Sequence, residues 1–324
     1  MNSSGMVMRD VNLHLWIYNH HFHGISDQAD FFVSAFRQQG YLTTVGRTPK
    51  KSALNVVIEN FSDDTRDVLI KFCKNTNKRV AVIMTEHLDF IDEEILIHGE
   101  TLNNSNDYMD SLVQAGRIRS LMECAPYVRC MFVLGDLPEL TNMSSMLPGI
   151  DVRSIPFPRL DFVDNAGGRA ATPKEDLVFA GFMTKYRSEV FEKLQKFGFS
   201  VNCPNKFVSR RRRDKLVGRS KVVLNIPQRS DWRWLSLMRI IAALRCGRAT
   251  VSLGTKDNSL IAGCCLQLDT DDVDWIGGLS GYVDGWDEAY RMCYKKYIES
   301  ARNFEEKVGF PNDVIRYWRI TDGV

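Results

Sequence analysis

Several signatures that would settle a protein's class at once are missing from this 324-residue chain. No apolar run reaches the ~18 residues that a membrane span requires. The opening residues, Met1-Asn2-Ser3-Ser4-Gly5-Met6-Val7-Met8-Arg9-Asp10, lack the basic start and apolar stretch of a secretion signal. The eight cysteines include no Cys-x-x-Cys pair, and Cys264-Cys265 lie side by side in an apolar, strand-like run. Cysteines scattered in this way read as buried free thiols in a reducing compartment, not as disulfides or a zinc site, so a cytoplasmic protein is expected. There is no Gly-x-x-x-x-Gly-Lys-Ser/Thr loop, no Gly-x-Gly-x-x-Gly after the first strand and no Gly-x-Ser-x-Gly elbow. Kinase, dehydrogenase and hydrolase readings therefore have no motif to stand on. Internal repeats and low-complexity tracts are absent too.

What is present is ordinary in amount and uneven in placement. Apolar content of 44% and charged content of 25% are those of a globular protein, and the length suffices for two domains with separate cores. Net charge is only +2, but residues 1–160 carry 15 Lys+Arg against 19 Asp+Glu, and residues 161–324 carry 27 against 21. A basic second half suits an anionic ligand. Arg210-Arg211-Arg212-Arg213 alone supplies most of the excess, so the charge permits such a site without requiring one.

Along the chain, strand and helix signals alternate. Strands are expected at 12–18, 54–58, 79–84 and 129–134, with helices at 28–39, 63–74 (opened by Ser62 as N-cap) and 107–124. Ser154 to Pro158 and Asp164 to Pro173, with Gly167-Gly168, form a Pro/Gly-rich polar stretch without periodicity that reads as a linker. Alternation then resumes: strand 177–180, helix 186–197, strand 199–202, helix 209–219, strand 221–226, a helix after it, a strand from Ala249, strand 264–268, and helices near 285–302 and 312–320. This predicts an α/β fold with parallel sheets, in an N-terminal Rossmann-like domain (1–160), a linker (161–176), a C-terminal Rossmann-like domain (177–304) and a last helix (305–324) packing back on the first domain. Doubly wound halves of this kind take ligands at the carboxyl ends of their strands.

The most informative stretch runs from Asn225 to Val251. A buried strand enters a polar, Arg-rich loop, a helix follows whose opening is assigned to Ser230 or Asp231 as cap, and Gly247 stops it. Strand, charged loop and helix N-terminus together hold phosphate well, because first-turn N–H groups are unpaired. The segment Arg239-Ile240-Ile241-Ala242-Ala243-Leu244-Arg245-Cys246-Gly247 resembles the donor-binding half of family 1-type and spore-maturation-type glycosyltransferases, which have the GT-B fold. The resemblance covers about residues 177–269. It implies two doubly wound Rossmann-like domains facing across a cleft, with the acceptor on the first and a nucleotide-sugar donor on the second. The family's ribose-binding Glu is replaced by Ala242, so that either another group, such as Asp257, takes the ribose or the donor sits differently.

The resemblance implies donor contacts from two loops. One holds Gly181, Thr184, Lys185 and Arg187, where a glycine lets backbone N–H groups approach a diphosphate. The other holds Asn225, Pro227, Gln228, Arg229, Ser230 and, on the helix, Arg239, whose charge would stabilise the leaving diphosphate in place of a metal ion. Lys185, Arg187 and Arg239 read equally as solvated or stem-packed surface groups. Trp232 and Trp234 suit either packing or stacking on a base.

In the first half, His20, His21 and His23 follow the first strand. A neutral His there can accept the proton of an acceptor hydroxyl as the sugar is transferred with inversion, and Asp27 can fix its tautomer. The alternatives are a structural polar loop and a metal site, the latter short of a fourth ligand. Glu86, after the strand ending at Met84, competes as the base, and Asp136 is a further candidate of that kind. Arg210–Arg213 offers peripheral contact with an anionic membrane surface, whereas nucleic acid is not expected because no aromatics interleave with it. The expected activity is thus metal-independent transfer of a sugar from a nucleoside-diphosphate donor to a glycan, lipid-linked, protein or small-molecule acceptor, with no cofactor. A nucleotide-sugar epimerase of the same fold and a non-catalytic binding module with an Arg-rich face are the rival readings.

Overall fold

The computed structural model describes residues 11–20, 22–59, 61–85, 88–97, 99–101, 110–136, 146–160, 172–204, 208–230, 232 and 234–323. The chain divides into two compact units, one made of Met1–Pro158 with Phe304–Val324, the other of Arg159–Asn303.

In the first unit, β1 (Asn12–Trp16), α1 (Phe22–Gln38), β2 (Leu42–Gly46), β3 (Leu54–Ile58), α2 (Asp63–Thr76) and β4 (Val80–Met84) follow one another. A small antiparallel meander comes next, β5 (Leu88–Ile91), β6 (Glu94–Ile97) and β7 (Glu100–Thr101), and then α3 (Ser111–Cys124), β8 (Val128–Leu134) and β9 (Asp151–Ile155). The main sheet is parallel throughout, in the order β2-β1-β3-β4-β8-β9. β3 and β4, LNVVI and VAVIM, are buried at every position, as strands covered on both faces must be. Ser62 caps α2 in a capping box with Thr65, and Asn77 ends the helix in the left-handed conformation. α1 begins six residues before its expected start, so His23 lies in its first turn and not in a loop.

In the second unit, β10 (Glu175–Val178), α4 (Lys185–Lys196), β11 (Val201–Asn202), α5 (Arg210–Gly218), β12 (Ser220–Asn225), α6 (Leu237–Arg245), β13 (Ala249–Leu253), β14 (Leu266–Leu268), α7 (Trp275–Asp284) and α8 (Trp286–Val308) follow in turn, α8 running on into the first unit. The sheet is again all parallel, ordered β11-β10-β12-β13-β14. At its amino edge Arg248 is fully buried. It donates to Ser220 O, Gly247 O (2.8 Å) and Gly218 O (2.6 Å), and its guanidinium carbon lies 4.5 Å from the Trp286 ring centroid. Two expectations are corrected here. α6 opens at Leu237 with Ser236 as N-cap, not at Ser230 or Asp231, and the last strand starts at Leu266, after a 3-10 turn that holds Cys264.

The closing helix α9 (Asn312–Asp322) belongs to the first unit. Its Asp322 accepts from Arg79 N (2.6 Å) and Trp318 Nε1 (3.0 Å) and pairs with Arg129 (3.4 Å), which ties it to the starts of β4 and β8. Tyr41 donates to Asn312 Oδ1 (2.6 Å), and Phe310 packs on Phe36 with centroids 4.9 Å apart. All eight cysteines are free thiols and only Cys203 is not buried; burial pushes those of Cys73, Cys124, Cys246 and Cys293 up to about 12. Among the described residues, no helix is long and apolar enough to cross a membrane.

Candidate functional site

Each sheet reverses its winding once. In the second unit, β10 is flanked by β11 on one side and β12 on the other, so the chain leaves the carboxyl ends of β10 and β12 in opposite directions. That is the switch point at which open α/β sheets take ligands. The two loops that the sequence singles out sit there. Thr184 caps α4 by accepting from Arg187 N (3.4 Å), and its hydroxyl donates to Gln228 O (2.9 Å), joining one loop to the other.

Arg187 completes the union. Only 5% exposed, it donates through Nε and Nη2 to Ile226 O (2.9 and 2.6 Å) and through Nη1 to Phe182 O (2.6 Å). Its guanidinium thus faces backbone carbonyls of both loops, a staple where the sequence suggested a charge for the ligand. Arg239, in the first turn of α6, is half-buried and donates through Nη1 to Asn225 Oδ1. Both guanidinium carbons contact the Phe179 ring, at 5.0 and 5.1 Å from its centroid. A Cβ at Gly181 would stand 2.7 Å from that ring and 3.1 Å from Arg239 Nη2, so only glycine lets the backbone come this close to Arg239.

The remaining residues of these loops differ in exposure. Lys185 and Ser230 are exposed, Gln228 and Arg229 are half-buried, and Pro227 is buried. Gln228 Oε1 is buried with no hydrogen-bond partner among the described residues, an acceptor left for a ligand's N–H or O–H. Trp232 and Trp234 stand edge to face, 6.3 Å apart, and Trp234 is buried. Asp257, one candidate to replace the missing Glu, accepts from Leu235 N (2.8 Å) and Ser259 N (2.7 Å) through its two carboxylate oxygens. Asp231 lies outside the described residues.

The first unit has its own switch point, between β1 and β3. His20 follows β1, and its Nε2 lies 3.1 Å from Ile58 O at the end of β3. A carbonyl only accepts, so Nε2 carries the proton and Nδ1 keeps the lone pair. That carbonyl fixes the tautomer of His20; Asp27 lies in α1. Burial, against the raising effect of the Ile58 hydrogen bond and with the positive charges of Arg117 and Arg47, holds the imidazole below its ordinary 6.5. Arg47 donates to Tyr18 O (3.1 Å) and His20 O (3.2 Å). Sequence reading missed Glu59, buried directly after Ile58, and the half-buried Arg117 of α3, which meet as a bidentate pair at 2.5 and 3.2 Å. His21, Glu86 and His87 lie outside the described residues, as does the side chain of His23. In the arginine run, Arg210 and Arg213 pair with buried Asp214 at 3.8 and 3.0 Å, leaving Arg211 and Arg212 exposed.

No protein-family model matches the chain, and no match was found among curated proteins. Solved structures do match. One is described as "Trehalose-6-phosphate from E. coli bound with UDP-2-fluoro glucose"; it is 9% identical, with 94% of this chain and 99% of that chain covered at a TM-score of 0.51. An alpha,alpha-trehalose-phosphate synthase (UDP-forming) from Burkholderia xenovorans in complex with glucose-6-phosphate is 10% identical, covering 90% of this chain and 81% of that one at 0.48. The N-terminal domain of trehalose-6-phosphate phosphatase from Candida albicans is 8% identical, covering 97% and 98% at 0.45. At such identity the first of these speaks for the fold alone: two Rossmann-like α/β domains of the GT-B kind.

Proposed function

We propose that the chain is a glycosyltransferase that takes a nucleoside-diphosphate sugar on its second unit. The observation that carries this reading is the Arg239 guanidinium, held by Asn225 at the sheet's switch point beside the close-approaching backbone of Gly181. As the bond from the sugar's anomeric carbon to the diphosphate breaks, negative charge grows on the leaving phosphate oxygen. A positioned guanidinium favours that state over the ground state. Lys185 and Arg229 add positive charge, the first turn of α4 adds its dipole, and Gln228 Oε1 is left to receive a donor N–H or O–H. No metal ion is required in this scheme. The acceptor, whether glycan, lipid-linked, protein or small molecule, gives up its hydroxyl proton as the oxygen attacks, and the anomeric configuration inverts. His20 of the first unit, with its Nδ1 lone pair, is the candidate base for such a step, and Glu86 is its competitor.

UDP is the first nucleotide to try, because the E. coli structure with this fold is described as bound with UDP-2-fluoro glucose. A nucleoside diphosphate should stabilise the protein by RT ln(1+[L]/Kd), about 2.7 kcal/mol at a hundred times Kd. Thermal shift with UDP, GDP, ADP and CMP in the presence of EDTA tests this. No stabilisation by any of them would overturn the reading. A bound sugar nucleotide that changes configuration without releasing its diphosphate would point to an epimerase.

A further inference from the structure

Behind Arg239 lies a polar chain that no surface role explains. Asn225, 2% exposed, accepts from Arg239 at Oδ1 and donates from Nδ2 to Ser252 Oγ (2.8 Å), its register partner on β13. These two partners fix which way round the amide stands, since a guanidinium only donates. Ser252, with no exposed surface, lies 2.7 Å from Thr255 Oγ1, and Thr255 donates to Gln267 Oε1 (2.9 Å). Gln267 reaches the backbone of Asp257 from both amide ends: Oε1 accepts from Asp257 N (3.0 Å) and Nε2 donates to Asp257 O (2.7 Å). Asp257 Oδ2 then accepts from Leu235 N (2.8 Å), directly before the N-cap of α6. The bonds therefore close a ring that starts on α6, crosses β12, β13 and β14, and returns to the entrance of α6.

We infer that this ring is the device that positions Arg239, and that Ser252, Thr255 and Gln267 are positioning residues for the donor's diphosphate. The inference rests on the reading of Arg239 as the group that meets that diphosphate. Its logic is one of satisfied valences. Asn225 presents Oδ1 to Arg239 while its Nδ2 is held by Ser252, and the Ser252 hydroxyl is placed by its 2.7 Å contact with Thr255, with Asn225 O a longer alternative at 3.3 Å. Each member is buried or half-buried, so water does not readily replace a lost link, and a misplaced link moves the next one. The far end of the ring also fixes Leu235, so the helix turn that carries Arg239 and the amide that receives it are tied to one frame. A displacement of about 1 Å at such a group is enough to lower a rate by ~10²-fold.

The test uses the full chain and the isosteric change Thr255→Val, which removes the hydroxyl and keeps the shape. Affinity for UDP, GDP and ADP is measured by titration, and each nucleoside alone is titrated in parallel. Thr255→Val should weaken diphosphate binding by about tenfold and leave nucleoside binding unchanged. Thr255→Ser, which keeps the hydroxyl, should restore it. Placed on Arg239→Ala, Thr255→Val should cause no further loss, because both changes remove one effect. Ser252→Ala, a smaller change at the next link, gives the same reading should Thr255→Val fold poorly. If Arg239→Ala weakens diphosphate binding while folded Thr255→Val and Ser252→Ala bind like the parent, the ring is structural only and the inference fails. If the parent binds no nucleoside diphosphate, it is the donor-site reading that fails.

Discussion

Arg187 and Arg239 lie within about 0.1 Å of the same distance from the Phe179 ring, yet their other partners separate them. Arg187 gives N–H groups to the backbone carbonyls Ile226 O and Phe182 O, whereas Arg239 donates to the Asn225 side-chain amide at the carboxyl end of β12. Arg187→Met should therefore lower stability by about 1–3 kcal/mol in urea unfolding, the cost of leaving buried acceptors unmet. Arg239→Ala should lower turnover by roughly 10²–10³-fold, as loss of a charge-stabilising donor does, with a much smaller effect on the unfolding midpoint. Equal losses of fold and turnover in both variants would contradict this division. His14 and His20 make the stability pH-dependent. Burial lowers both imidazoles from 6.5, against a raising hydrogen bond to Thr48 in one and Ile58 in the other. The unfolded chain then takes up protons first as the pH falls below about 6.5, so stability is full above that value and declines through the acid side. Melting temperatures from pH 8 to 5 should show the fall begin near 6.5; a flat profile would count against buried neutral histidines. If His20 is the base, kcat/KM should lose activity only at a pH below 6.5.

Strands buried on both faces are among the elements legible in the sequence. β4 reads as an unbroken apolar run, β3 and β8 as apolar runs broken by Asn55 and Arg129, and β12 as an apolar centre between Lys221 and Asn225; α2 announces itself by Ser62. The edge strands β2 and β9, LTTVG and DVRSI, are not legible, because each has a single neighbour and keeps exposed or half-exposed positions. α7 hides behind Gly277, Gly278 and Gly281, which depress helix propensity; burial of Trp275, Leu279 and Val283 at i, i+4 and i+8 outweighs them. Of the candidate donor site, the two loops and Arg239 are legible from motif. Ser252 is not, since a serine in an apolar strand acquires meaning only once the register sets it opposite Asn225. The same holds for Glu59 with Arg117, which are 58 residues apart. At this scale α9 offers the clearest prediction. Asp322→Ala leaves Arg79 N, Trp318 Nε1 and the largely buried Arg129 without their acceptor. The loss should be about 3 kcal/mol by urea unfolding, as when one partner of a buried pair is removed. A change below about 0.5 kcal/mol would mean that the helix is held by its apolar face alone.

Across the whole molecule, two separate sheets with separate switch points allow the donor's footprint to be mapped directly. Hydrogen exchange with and without saturating UDP should show its largest protection at residues 179–184, 225–239 and 252–257, where loops, helix turn and ring meet. Protection confined to other segments would place the nucleotide elsewhere. The chain's route through its units has a further effect, on biosynthesis. It leaves the first unit at Pro158, builds the second, and re-enters the first at Phe304. β4 and β8 begin at residues whose bonds wait for Asp322, and Tyr41 waits for Asn312. On a ribosome, where domains fold as they emerge, the first unit is completed only after the whole of the second has been made. The domain begun first is finished last, and until then the contacts of α9 with Arg79, Arg129 and Tyr41 are missing from it.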